Sequence, residues 1–259
     1  GETSKAAFGE LEAGEEDFSL RKGGSRFRAD AGRCEEWMKE LKKLEELKRP
    51  RISGSEDTVG WGEWEVWHPV LAEVGRLAKR GRNAVVAIDG RCGSGKTGLA
   101  RLLESLFLCN VLHMDDFYLP LHLRPENWQE IPGGNMDFER LRREILLPLG
   151  EGRGALYRPY CCARGEMGEG VRLEPRPLTI VEGSYSQHPS MGVIYDLTVF
   201  LTCSDEIQRR RLQIREGEGF AAFEQRWIPL EENYFRIFAV ESKSSLQVDT
   251  SSLTDTRNI

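Results

Sequence analysis

The stretch 83–103, NAVVAIDGRCGSGKTGLARLL, limits the fold more than any other part of the chain. Ala84 to Ile88 is a short apolar run with the composition of a buried strand, a glycine-rich turn follows, and Thr97 to Leu103 has helix-forming composition. Gly90, Gly95, Lys96 and Thr97 satisfy G-x-x-x-x-G-K-[ST] in the context that pattern requires, a strand entering and a helix leaving. Successive backbone N–H groups converge on phosphate oxygens only where side chains do not obstruct them. Gly90, Gly93 and Gly95 therefore sit where close approach is needed, with Cys92 and Ser94 completing the loop. The helix adds the positive end of its dipole, Lys96 reaches the β and γ phosphates as a point charge, and the Thr97 hydroxyl is suited to magnesium. The stretch reads as a phosphate cradle, with a nucleotide and magnesium as its expected ligands.

A chain of 259 residues holds one α/β domain of ordinary to large size, or a domain with an appended segment. Its formal net charge of −6 supplies no global attraction to nucleic acid or to an anionic membrane, so neither is expected as a partner. Six cysteines, at 34, 92, 109, 161, 162 and 203, form no CxxC pair and no zinc spacing, the usage of reduced cytosolic thiols. No apolar run approaches the length of a membrane span, and the first residues lack the basic-then-apolar order of a signal peptide. The expected location is the cytoplasm.

Taken in order, residues 1–60 read as an N-terminal tail with a helical extension: a polar stretch to about residue 33, an amphipathic helix from Cys34 to Lys48, then a linker. Residues 61–259 read as the catalytic domain. Trp61, Trp64 and Trp67 are assigned to packing, and a helix is expected from His68 to Arg80, ending at Gly81. A second strand, Leu106 to His113, runs into HMDDFYLP. This places Asp115 and Asp116 at a strand's carboxyl end, where open parallel sheets bind ligands. Adjacent carboxylates point in different directions, so one faces the site while the other caps or pairs. An insert follows at about 118–172, holding a helix from Asp137 to Leu149 and a polar, glycine-rich flap or hairpin with Tyr157 and Tyr160. The third strand, Leu178 to Val181, ends in Glu182, with Gly183 turning the chain. The fourth, Asp196 to Leu201, leads to a helix capped by Ser204 that carries Arg209, Arg210, Arg211 and Arg215. Such a helix is either a solvated face or, over 204–220, a lid above the nucleotide. Helices over Phe220 to Phe238, a fifth strand at Leu246 to Val248 and a tail after Thr250 complete an α/β domain of three layers with a mainly parallel sheet.

The ordered set IDGRCGSGKT, HMDDFY, IVEG and YDLTVFL followed by an arginine-rich helix resembles the uridine kinase family of P-loop nucleoside kinases, over roughly residues 84 to 250. The resemblance implies the three-layer P-loop kinase fold with five strands in the order 2-3-1-4-5. It implies Asp115 as the base toward the acceptor hydroxyl, close to the metal, and Glu182 as a magnesium holder in place of a Walker B aspartate. Arg211 and Arg215 would be the lid arginines that neutralise the transferring phosphoryl group, and Asp137 and Tyr160 would contact the nucleoside. The family's Tyr-Asp beside the base is here Tyr160-Cys161. The expected reaction is transfer of the γ-phosphoryl of ATP to a hydroxyl of uridine or cytidine, by a monomer or a homo-oligomer. Two alternatives share the cradle: a kinase for another small hydroxylated acceptor, and a nucleotide-dependent switch.

Overall fold

A computed structural model describes residues 61–80 and 82–253. The expected tail and helix within 1–60, and with them the boundary at residue 60, lie outside the described residues.

Five short apolar strands pair side by side: β1 (Ala84–Gly90), β2 (Cys109–His113), β7 (Leu178–Glu182), β8 (Leu197–Thr202) and β9 (Leu246–Asp249). Their spatial order is β2-β7-β1-β8-β9 and every pairing is parallel, which in order of occurrence is 2-3-1-4-5. Parallel strands require long crossovers, and the helices that make them cover both faces. Period-two alternation sorts the side chains. Ala84, Val86 and Ile88 of β1 join one core with Leu178, Ile180, Val199 and Leu201, against helices α1 (Trp61–Ala78) and α2 (Lys96–Leu106). On the other face Val181 and Phe200 pack with the helical run 138–150 (α3) and with later helices. That makes three layers with the sheet in the middle.

Helix α1 starts at Trp61, seven positions earlier than expected, and runs through Pro69. Pro69 falls in the helix interior. Its exposed ring removes one internal hydrogen bond, and that loss is offset by the apolar stripe Trp67, Val70, Leu71, Val74 and Leu77, all buried against the sheet. Asp196 lies just before β8, where its carboxylate accepts the Val85 N–H and pairs with Arg82.

The insert folds as α3 and two small antiparallel pairs, β3 (Ala155–Tyr157) with β6 (Val171–Leu173) and β4 (Tyr160–Cys161) with β5 (Glu166–Met167). After β8 come α4 (Asp205–Glu216), with Ser204 as its N-cap, a helical stretch 217–227, and α5 (Ile228–Phe238). Thr250 belongs to the packed structure, being fully buried, so the tail expected after it begins beyond a residue that anchors the chain end. Among the described residues no helix is long and apolar enough to cross a membrane.

Candidate functional site: a phosphate loop facing two carboxylates

At the carboxyl edge of the sheet, β1 delivers the chain into the loop 90–97. Gly90 has φ 133, and a Cβ there would stand 2.0 Å from the Leu201 carbonyl oxygen of β8, so only glycine lets the strand end pass. Gly95 has φ 94 with nothing within 4 Å of a would-be Cβ, so this side of the loop faces open space. Among the described residues the N–H groups of Gly93 and Gly95 donate to no protein acceptor, and Lys96 opens α2, whose first N–H groups have no partner inside the helix. These are the donors of an anion cradle. The Lys96 ammonium donates to the carbonyls of Gly90 and Arg91, which holds it across the loop mouth.

The outward side of the loop is tied down residue by residue. Arg91 donates to the Cys203 carbonyl, Asp205, Gln208 and Glu232. Gln208 donates to the Cys92 carbonyl, and Thr250 Oγ1 to the Ser94 carbonyl. Burial, assisted by the nearby Glu231 carboxylate, pushes the Cys92 thiol far above its ordinary range and leaves it inert as a nucleophile.

Opposite the loop stand the two strand-end carboxylates. Glu182 Oε1 accepts the Thr97 hydroxyl at 3.1 Å and lies 2.5 Å from His113 Nδ1. That hydrogen bond, opposed by burial, raises the His113 pKa. Asp115 is solvent-accessible on the cleft side, while the protein walling it elsewhere thins its hydration and raises its carboxyl pKa; a hydrogen bond from Tyr118 acts the other way. Asp116 points elsewhere: Tyr157 Oη donates to its Oδ2 at 3.0 Å, and Arg140 donates to its carbonyl at 2.7 Å, which ties the insert to the end of β2.

Loop and carboxylates share one cleft of about 480 Å³, a normal size for a small-ligand site. Cys92, Gly93, Gly95, Lys96, Thr97, Asp115, Tyr160, Glu182 and Arg215 all line it. Arg215 stacks over the Phe223 ring, and Phe223 and Trp227 close that wall. The pairing of a hydroxyl with a carboxylate oxygen at Thr97 and Glu182 suits a hard cation such as magnesium. Among the described residues no group of three or more His, Cys, Asp or Glu could hold a metal ion. Two protein oxygens are what a magnesium ion needs when phosphates and water supply its other ligands.

Of the residues expected at the site, Gly90, Ser94, Asp137 and Arg211 do not line the cleft. Arg211 is 6 % exposed and turned away from the cleft. Its guanidinium donates to the carbonyls of Gly93, Thr250 and Leu253 and to the Thr250 hydroxyl, so it clamps the loop to the chain end and has no free face for a phosphoryl group. Asp137 is the N-cap of α3, accepting the Arg140 N–H at 3.1 Å, and it does not line the cleft. Ser94, though in the loop, has a buried hydroxyl that also lies off the cleft lining.

Several cleft residues were not expected from the sequence, among them Glu231, Trp227 and Tyr185. Glu231, on α5, accepts the Cys92 N–H. Trp227 sits at that helix's start. Tyr185 has φ 74, an uncommon conformation for an aromatic residue, three positions after Glu182. The E-G-S-Y turn was legible, but nothing in it specifies a left-handed Tyr185.

No family model and no curated protein sequence matches this chain. Solved structures do share its fold. One, described as a possible uridine kinase from Bacillus stearothermophilus, superposes with a TM-score of 0.53 at 21% identity, covering 70% of this chain and 96% of that one. A D-glycerate 3-kinase from Cryptococcus neoformans gives 0.51 at 17% identity, covering 78% and 100%. The chain therefore has the α/β fold of P-loop kinases, with an all-parallel sheet of five strands.

Proposed function

We propose that the protein is an ATP-dependent phosphotransferase that moves the γ-phosphoryl group to a hydroxyl of a small acceptor, with a nucleoside, uridine or cytidine, as the leading acceptor class. The observation that carries this reading is the convergence, on one cleft, of a phosphate loop bearing Lys96 and Thr97 with Asp115 and Glu182 from two neighbouring strand ends. A switch protein needs the cradle. It does not need a second carboxylate placed to take a proton from an acceptor.

The roles follow from position. The loop N–H groups and Lys96 bind and orient the phosphates. Thr97 and Glu182 would hold magnesium, which when bound offsets the charge that develops on the phosphate oxygens. Asp115 takes the acceptor's hydroxyl proton as that oxygen forms a bond to Pγ. The bond between Pγ and the β–γ bridging oxygen breaks, and ADP leaves with that oxygen. A carboxylate with a raised pKa is a better proton acceptor for this purpose than an ordinary one. Arg215, which lines the cleft while pairing with Glu216 at 2.5 Å, is the arginine assigned to the transferring group in this reading.

The acceptor wall supports a nucleoside. Tyr118, Tyr160, Tyr185, Phe223 and Trp227 give it ring surfaces on which a base can stack. The test offers the protein ATP and magnesium with a panel of nucleosides, glycerate and simple sugars while ADP and phosphorylated product are measured. ADP release that depends on a nucleoside is expected. Release at the same rate with no acceptor present would overturn the kinase reading, and product from glycerate alone would move the acceptor class. Asp115→Asn should lower turnover by about 10²- to 10⁴-fold while nucleotide affinity stays within about twofold.

A further inference from the structure

Cys92 lies inside the phosphate loop and lines the cleft, and its N–H already donates to a carboxylate. Glu231 Oε2 accepts it at 2.9 Å, and Glu231 Oε1 accepts the Ser184 hydroxyl at 2.5 Å. The carboxylate is 8 % exposed, lines the cleft, and has no ion-pair partner among the described residues. Its neighbour Glu232 behaves differently, pairing with Arg91 at 2.8 Å on the loop's outer side. Two consecutive side chains of α5 thus grip two consecutive residues of the loop, one from outside as an ion pair and one from inside as an uncompensated charge.

The position of that charge within the cleft is informative. Its two partners lie on opposite sides of the cleft, Cys92 in the loop and Ser184 two positions after Glu182, so Glu231 stands where the loop faces the strand-end carboxylates. The phosphoryl group to be transferred must occupy that same place. A phosphate oxygen and the Glu231 carboxylate cannot both accept the Cys92 N–H, and side by side in a half-enclosed cleft they repel.

We infer that Glu231 is the internal competitor of the nucleotide's terminal phosphate, a positioning residue whose carboxylate must leave the Cys92 N–H before the triphosphate seats. Because Glu231 lies in the first turn of α5, and Arg215, Phe223 and Trp227 on the chain before it wall the cleft, the displacement links arrival of the γ-phosphate to the position of that wall. The inference rests on the kinase reading only in requiring a nucleotide in the loop.

Binding of a non-hydrolysable ATP analogue and of ADP, each with magnesium, is measured by calorimetry for the wild type, Glu231→Gln and Ser184→Ala. Glutamine preserves the shape and an acceptor for Cys92 while removing the charge. Glu231→Gln is expected to bind the analogue about tenfold more tightly and ADP within about twofold of wild type. Ser184→Ala, which frees Oε1, should shift the analogue the same way by about two- to threefold, and it keeps the test open if the glutamine variant does not fold. Unchanged or weaker analogue binding in folded variants would make Glu231 a fixed strut and overturn the inference. An equal gain for ADP and analogue would overturn it too, because the carboxylate would then lie away from the γ-phosphate. A wild type that binds neither nucleotide would bring down the kinase reading itself.

Discussion

Arg211 separates a structural from a catalytic role most sharply, because its sequence context and its environment point in opposite directions. The guanidinium is 6 % exposed and makes contacts of 3.1, 2.9, 2.7 and 3.0 Å to the Gly93 carbonyl, the Thr250 hydroxyl, the Thr250 carbonyl and the Leu253 carbonyl. Hydrogen bonds from a charged donor are worth about 1.5–3 kcal/mol each, but they are not additive and the buried cation carries its own desolvation cost. Arg211→Met keeps the stem's packing, removes that cost, and strands buried carbonyls without donors. The net loss should be about 3–5 kcal/mol, a fall in melting temperature of roughly 10 °C for a domain of this size. Arg211→Lys restores a charge that reaches only part of the fork's acceptors, and should recover less than half of the loss. Urea unfolding followed by circular dichroism measures the change, and nucleotide affinity should fall with it because Gly93 loses its clamp. A methionine variant within about 1 kcal/mol of wild type whose turnover nonetheless collapses would refute this reasoning and return Arg211 to the transferring phosphoryl group.

Two glycines of the loop should respond oppositely. Gly90→Ala forces a Cβ to 2.0 Å from the Leu201 carbonyl oxygen and should give no folded protein. Gly95→Ala meets nothing within 4 Å, and should fold at a cost of about 1–2 kcal/mol in backbone strain while losing nucleotide affinity; soluble yield and calorimetry distinguish the two. His188, stacked on Phe138 at 4.3 Å, is held neutral, its pKa lowered by burial to about 4 against an ordinary 6.5. The unfolded chain binds the extra proton, so this residue's contribution is full above pH 6.5 and is lost as pH falls toward 4. The stability difference between wild type and His188→Phe should therefore grow by about 1–2 kcal/mol from pH 4 to 6.5, the full shift being discounted for solvent screening, in urea titrations at fixed ionic strength, and a flat difference would contradict it. Asp89 has the opposite sign: it is fully buried and its pKa is raised by burial to about 6 from 3.8, so its contribution is present below pH 3.8 and is lost as pH rises through 6.

The phosphate loop, Asp115 and Glu182 were legible because each sits where chain geometry leaves little choice, at the carboxyl end of a short apolar strand followed by glycine or a turn. The strand order could not come from periodicity, which finds strands and not their neighbours; it came from the resemblance, and the pairings agree. Arg211 was misread for a physical reason. Spacing places Gln208, Arg211, Leu212 and Arg215 on one face of α4, and only Leu212 is apolar, so the face has no hydrophobic signature although Gln208, Arg211 and Leu212 are buried. It is lined with side chains that satisfy loop carbonyls, a use that composition does not mark. Asp137 was equally ambiguous: aspartate before a helical run is an N-cap by local rule and a substrate contact by resemblance, and local chemistry prevailed. Glu231 was passed over because a Glu-Glu pair in an amphipathic helix normally faces water.

The arrangement around the loop gives one further reason why a cradle of this kind is already organised for anions. Arg91, Cys92, Gly93 and Ser94 are each held through a side chain or a carbonyl, by α4, α5 or the chain end at Thr250. The carbonyls of Cys92, Gly93 and Ser94 are thereby paired, while the N–H groups of Gly93 and Gly95 keep no protein acceptor among the described residues. An anion entering such a loop does not have to reorient those dipoles, so the cost of organising them is met in folding. Asp89 beneath the loop fits the same scheme, accepting the Gly90 N–H, the Gln187 N–H and the Tyr234 hydroxyl from full burial. Through Tyr234, and through Glu231 and Glu232 one turn earlier, α5 touches the loop from below, inside and outside at once. A shift of that helix therefore alters the donors that meet the phosphate together with the wall that meets the acceptor.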